Sequence, residues 1–340
     1  MRRIVPSLLA LALALAACGG KPSPSVVNAA VGSVDASSGL PATPPASAVA
    51  PTTLPPPTST TAPGQTSALA QARPKVVVSP TGVVLPVTGI ENSAVKVLTP
   101  CENNAVLDRG TPVRGASVVL DPGHGGKESG AVGPNGLAEK AANLAVTRAT
   151  KSTLEKNGVS VLLTRTADYA MTLTARAAVV KAIKPVAFVS IHHNADPDGP
   201  HSGPGTETYY QVASPTSKRL AGLIYEEVVR ALSQYQIAWV GDTDAGAKYR
   251  IGANGDYYAV LRQTAGTTAA LAELSFISNA PEAALLARPD YDDVEGQAVA
   301  RGILRYLRTQ DPGSGYTTPY PRTTPAGGGG KQGCVDPPLN

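Results

Sequence analysis

Three residues set the chemical question. His124 stands in Asp121-Pro122-Gly123-His124-Gly125-Gly126, Glu139 follows Gly136-Leu137-Ala138, and His192 lies in Ser190-Ile191-His192-His193-Asn194. Two imidazoles and a carboxylate with a fourth position left open form the donor set of a catalytic zinc site. Taken singly, each signal is weak. A lone histidine at a strand end is more often hydrogen-bonded structure, and a glutamate at a helix start commonly serves the helix dipole. The chain has only four histidines, however. One of them closes an Asp-Pro-Gly-His turn and two others are adjacent. Glu273 adds a further carboxylate inside the apolar run Ala269-Ala270-Leu271-Ala272-Glu273-Leu274, where an unpaired charge is costly.

These residues need elements that bring them to one place. From residue 113 the pattern alternates strand and helix. Strands are expected at Ser117–Asp121, Val159–Thr164, Val186–Ile191, Thr206–Gln211 and Ala269–Ser275. Helices are expected at Glu139–Asn157, Thr172–Ile183, Pro215–Ser233, Pro281–Ala287 and Tyr291–Thr309. His124 and His192 then sit just past the C-terminal ends of strands, the edge where open α/β sheets bind ligands. Glu139 begins the helix after the first strand, so its carboxylate can reach the same edge. Neighbours on an extended segment point to opposite faces, so His192 and His193 cannot easily serve one ion together.

The flanks read differently. Residues 1–18 have a basic start, Arg2-Arg3, an apolar stretch too short to span a bilayer, and the lipobox-like end Leu15-Ala16-Ala17-Cys18. They predict an exported lipoprotein anchored through Cys18 to the outer face of the cytoplasmic membrane or the cell envelope. Residues 19–74 are rich in Pro, Ser, Thr and Ala and predict a disordered tether. Residues 75–112 predict a small β-rich module, opening with a hairpin of Val76-Val77-Val78 and Val83-Val84-Leu85. The tail, 311–340, reads as irregular. With Cys18 used by the lipid, Cys101 and Cys334 are left in an oxidising compartment and predict a disulfide. Residues 113–310 carry 20 basic and 19 acidic residues, so most of the net +4 belongs to the flanks. No basic stripe is present, which argues against a nucleic-acid partner.

Four stretches carry a resemblance. Asp121 to Gly126, Glu139-Lys140 with Asn143-Leu144, Ser190 to Ala195, and Glu273-Leu274-Ser275-Phe276-Ile277-Ser278-Asn279 look like the signature segments of zinc-dependent N-acetylmuramoyl-L-alanine amidases with an AmiC-like catalytic domain. They occur in that family's order over roughly residues 115–309. The resemblance implies an α/β fold with a mixed, mostly parallel twisted sheet of about six strands flanked by helices, spanning the 113–310 domain. It implies one Zn2+ per chain held by His124, Glu139 and His192, with Glu273 as the catalytic carboxylate. His192 is selected because the family's histidine stands two before the asparagine. Arg262 and Asn194 are candidates for substrate contact. Three positions depart from the pattern: His193 replaces a small residue, Ser275 stands where glycine is common, and Gly266-Thr267-Thr268 replaces a proline.

The implied activity is peptidoglycan hydrolysis at the amide between N-acetylmuramic acid and L-alanine of the stem peptide. A zinc peptidase cutting within the stem peptide, or a non-catalytic wall-binding lipoprotein, are the alternatives. The retention of all four chemical residues argues against the last. Regulated relatives carry a helix over the zinc. Here Pro197, Gly199, Pro200, Gly203, Pro204 and Gly205 break the 194–205 stretch, and glycines interrupt 236–258. An open groove, a monomer and activity without an activator protein are therefore expected.

Overall fold

The computed structural model describes residues 67–91, 93–320 and 329–340. The expected leader, Cys18 and most of the expected tether lie outside these residues. The described tether end, however, is ordered. Ser67 caps a short helix α1 (Ala68–Gln71) by accepting from Ala70 N. Leu69 and Ala70 are buried, so an isolated leucine behind a capping serine was enough to anchor a segment whose composition otherwise favours disorder.

Residues 76–113 form a five-stranded antiparallel sheet in the order β4-β3-β2-β1-β5. Its strands are β1 (Val76–Val78), β2 (Val84–Glu91), β3 (Ala94–Leu98), β4 (Asn104–Leu107) and β5 (Thr111–Val113). Val76 and Val84 enter the core beneath the large sheet, while Val77 and Leu85 pack in the small sheet's own core. The alternation along β1 thus joins the two sheets through apolar contact.

The large sheet has six strands: β6 (Val118–Pro122), β7 (Val161–Leu163), β8 (Ala187–Asn194), β10 (Glu207–Tyr210), β12 (Gly246–Lys248) and β15 (Ala269–Phe276). Their order is β12-β10-β15-β8-β6-β7, and the sheet is mixed, because β10 runs antiparallel to β15 while the other pairs are parallel. Two short ribbons add β9 (Gly199–Pro200) with β11 (Val240–Gly241), and β13 (Ile251–Gly252) with β14 (Gly255–Asp256). Period-2 alternation divides the residues between two faces. Val118, Leu120, Val189 and Ile191 pack under α2 (Glu139–Lys156), α4 (Pro215–Leu232) and α7 (Pro289–Arg308). Val119 and Phe188 pack on the other face, with α3 (Leu173–Ile183) and α5 (Ala259–Gln263). Helix α6 (Ala280–Leu286) closes the chain's approach to α7.

Cys101 and Cys334 are joined by a disulfide with a Cα–Cα distance of 5.6 Å. No described helix is long and apolar enough to cross a membrane. Neither 194–205 nor the stretch from 236 to 258 contains a helix.

Helix α7 crosses α2 at Gly296. A Cβ there would lie 2.5 Å from Ala149 Cβ and 2.8 Å from Thr150 N. Alanine gains about 1 kcal/mol in helix propensity over glycine, but overpacking costs typically about 1–3 kcal/mol, and backbone on the far side cannot yield. Gly296→Ala is expected to destabilise the protein by about 1–2 kcal/mol in urea unfolding. A variant as stable as wild type would show that the two helices can separate freely.

Candidate metal centre and catalytic cavity

The site begins where β6 ends. Asp121 is fully buried and accepts from Arg176 Nη1 at 2.6 Å, Ser190 Oγ at 2.7 Å and Thr164 Oγ1 at 2.5 Å. Burial alone would raise its carboxyl, and the Arg176 charge with the two hydroxyls holds it below its ordinary value. Arg176 also donates to the carbonyls of Pro122 and His124, at 2.8 and 2.6 Å. Arg165 donates to those of Pro122 and Gly123, at 3.0 and 2.8 Å. This clamp holds His124 at φ 59°, a left-handed conformation that costs a non-glycine residue on the order of 1–2 kcal/mol.

Glu139 is the first residue of α2 and is buried. Its Oε2 lies 3.1 Å from His124 Nε2, and its Oε1 lies 3.0 Å from His192 Nδ1. Donors held near 2.1 Å by a tetrahedral zinc stand about 3.4 Å apart, so these spacings fit one ion. A donor atom from each of the three residues lies within 4.8 Å of the others. Burial would raise the Glu139 carboxyl, yet hydrogen bonds from His124 and His192 hold it well below its usual range. Burial pushes His192 down, against the pull of Glu139, which favours the neutral imidazole a metal requires. Room for His192 comes from Gly123, where a Cβ would stand 2.3 Å from His192 Nε2.

His193 points away. Its Nε2 meets Glu295 Oε2 at 2.9 Å and its Nδ1 meets Asn143 Oδ1 at 2.7 Å. Asn143 Nδ2 donates to Glu139 Oε1 at 3.1 Å, so its Oδ1 is the acceptor and His193 Nδ1 the donor. Burial would favour neutral imidazole, but the Glu295 carboxylate overrides it and raises the pKa. Ser275 Oγ donates to the other oxygen of Glu295 at 2.9 Å. His193 and Ser275 therefore meet at a single buried carboxylate.

Above the metal centre lies a cavity of about 920 Å³, lined by His124, His192 and Glu273 among others. Glu273 is the cross-strand neighbour of His192 on one side and of Glu207 on the other. Its carboxylate therefore shares a sheet face with His192. Arg262 also lines the cavity, and its Nη1 donates to the carbonyls of Asp256 and Tyr257 at 2.5 and 3.1 Å. Asn194 is not among the lining residues; its side chain donates to Glu207 Oε2 at 2.9 Å. A second acidic group, Glu207, Asp242 and Asp244, already holds the Lys248 ammonium, which bonds both Glu207 and Asp244.

Sequence reasoning missed Arg165, Arg176 and Glu295. Each is a charged residue in a predicted helix or strand flank, indistinguishable from a surface charge without its partners. Asn143 carried a signal, since it belongs to the Glu139 motif, but its spacing of one helical turn from Glu139 was left without a role.

Residues 118–305 match the family model described as N-acetylmuramoyl-L-alanine amidase. The uncharacterized protein YqiI of Bacillus subtilis (strain 168) is 36% identical over 211 residues, 62% of this chain and 91% of YqiI. The germination-specific N-acetylmuramoyl-L-alanine amidase of the same strain is 32% identical over 210 residues, 58% of this chain and 81% of that protein. Among solved structures, Cwp6 from Clostridium difficile aligns with 57% of this chain and 30% of its own, at 35% identity and a TM-score of 0.50.

The two adjacent histidines separate metal binding from stability. His192→Ala is expected to abolish stoichiometric zinc. His193→Ala should retain zinc but lose about 3–5 kcal/mol of stability, since it strands a buried Glu295 charge. Metal analysis paired with denaturant unfolding reads both; the reverse pattern would exchange the roles.

Proposed function

The chain belongs to the N-acetylmuramoyl-L-alanine amidase family, the peptidoglycan hydrolases that cut between N-acetylmuramic acid and L-alanine, and we propose that it does so with one zinc ion held by His124, Glu139 and His192 and with Glu273 as general acid–base. One observation carries the reading: the three donors converge and Glu273 adjoins them across the sheet, all at one cavity.

Zinc, when bound there, lowers the pKa of water to about 7 and polarises a carbonyl. The chain supplies the rest. Glu273 takes the proton of the attacking water on its carboxylate and delivers it to the L-alanine nitrogen, which leaves as an amine only when protonated. Glu139 stays ionised because both histidines favour its charge. The carbonyl clamp of Arg165 and Arg176 keeps His124 in its strained pose, so no reorganisation is needed when substrate arrives. Arg262, at the cavity wall, is suited to a stem-peptide carboxylate.

Cys18 and the residues after it support an exported, lipid-anchored enzyme whose reach is set by its tether. As a flexible coil, a segment of the composition of residues 19–66 would reach about 40 Å on average. Restraint by location, rather than by an activator protein, follows from this reading. Exchange of Cys18 for serine is expected to move the chain from the membrane fraction to the soluble envelope fraction; unchanged membrane retention would remove the lipid anchor.

The catalytic test uses the full chain with zinc and purified muropeptides. Wild type is expected to release a peptide with an N-terminal L-alanine, read by mass, and with no second protein added. Glu273→Ala should bind zinc normally and lose turnover by on the order of a hundredfold or more. Products cut within the stem peptide would favour the peptidase alternative, and undiminished turnover would take Glu273 out of the reaction.

A further inference from the structure

The last described residues touch the cavity although no part of the amidase reaction requires them. Residues 329–340 contain neither helix nor strand. Even so, Gly329 lines the catalytic cavity together with Glu128. Its N–H donates to Glu128 Oε1 at 2.8 Å, and its carbonyl accepts from Leu173 N, at the start of α3, at 2.9 Å. A second cavity of about 40 Å³ adjoins, lined by residues that include Lys127, Glu128, Met171, Gly330 and Cys334. Lys127, Glu128 and Met171 line both spaces. Gly329 thus borders the catalytic cavity itself, and the stretch from Gly330 to Cys334 continues along the small adjoining space that shares Lys127, Glu128 and Met171 with it.

The wall is fastened from outside. Cys334 is bonded to Cys101. Two residues on, Asp336 accepts from Thr99 Oγ1 at 2.8 Å, Cys101 N at 2.8 Å and Asn103 Nδ2 at 2.7 Å. Leu339 packs against the core of the small sheet. These ties run to the 76–113 sheet, so that sheet and the disulfide together hold a strap at the rim of a site built by the large sheet.

We propose that the strap Gly329–Cys334 is a specificity-determining element: it closes the cavity on the Lys127–Glu128 side and favours single stem peptides over cross-linked ones. This rests on the amidase reading. A cavity of about 920 Å³ lies in the range that encloses one small ligand, roughly 300–1,000 Å³. A stem peptide joined to a second one carries a branch that needs space beyond the cavity, and on the Lys127–Glu128 side that space is bordered by Gly329 and the residues after it. Glu128 is the side chain through which the strap meets the rim.

The experiment compares kcat/KM of the zinc-loaded full chain on a monomeric muropeptide and on its cross-linked dimer. In Cys101→Ser with Cys334→Ser, the dimer-to-monomer ratio is expected to rise about tenfold, the scale of one altered pocket contact, through KM with kcat unchanged. Glu128→Gln, which keeps the disulfide and weakens the contact to Gly329, should move the ratio in the same direction by a smaller factor. If the double serine variant fails to fold, Glu128→Gln decides alone. An unchanged ratio, or equal losses on both substrates, overturns the proposal. Wild type inert on both substrates overturns instead the amidase reading beneath it.

Discussion

Two buried guanidinium groups hold the site together. A strand that ends in Pro122-Gly123-His124 leaves its carbonyls without ladder partners, and buried backbone acceptors must be satisfied. Arg165 and Arg176 satisfy all three, and Arg176 also takes Asp121. The arrangement is costly in isolation, because moving an ion out of water carries a penalty of several kcal/mol. Burial, and then the neighbouring Arg176 charge, bring Arg165 down to about 10, still well above neutrality, so it remains a cation. The compensation is geometric. A planar fork with five donors can address several carbonyls at once, whereas a lysine would satisfy fewer and leave the turn free to relax its left-handed histidine. With the turn fixed, the position of His124 against Glu139 follows.

How far the sequence could be read depended on whether an element's signal was local. The two long strands β8 and β15 and the helices α2, α4 and α7 carry apolar runs or periodicity of their own, and their positions agree with expectation within a few residues. The strand β12 was missed because Gly246-Ala247-Lys248 has no apolar alternation. Its lysine is buried by virtue of Glu207 and Asp244, partners distant from it or unremarkable in sequence. Helix α5 was missed for its brevity. The sheet is mixed, as expected, but 'mostly parallel' is inexact, since the antiparallel β10–β15 pairing lies in its interior. The donor set was legible because motif order survives in one dimension. The clamp was not, because Arg165 and Arg176 acquire meaning only when α3 and the end of β7 close over the turn.

The pair His192-His193 shows why a pleated strand can place two similar residues in unlike roles. One side chain faces the cavity and one faces α2 and α7. Burial lowers the pKa of the first, while Glu295 raises that of the second. A fully buried histidine without partners would be expected to destabilise the core. It does not stand alone here: Glu295 supplies the counter-charge, Asn143 an acceptor, and Ser275 a donor to the remaining carboxylate oxygen. His193 and Ser275 are thus parts of one hydrogen-bonded unit. Asn143 ties that unit to Glu139 through its amide, so the far face of the sheet also helps to orient the Glu139 carboxylate.

Glu207 and Glu273 pose the complementary problem, two like charges directly opposite each other on paired strands, an arrangement that is ordinarily destabilising. The fold resolves it by giving one of them a dedicated cation. Lys248 bonds Glu207 Oε1, while Tyr209 and Asn194 take Oε2, the latter at 2.9 Å. Glu207 is fully buried and its acceptor capacity is directed into this cage. Glu273 is only partly buried and borders the cavity. The difference between the two glutamates on one sheet face therefore lies in which of them the interior lysine reaches. The same cage holds Asn194, two residues beyond His192 on β8, and so secures the strand end that carries His192.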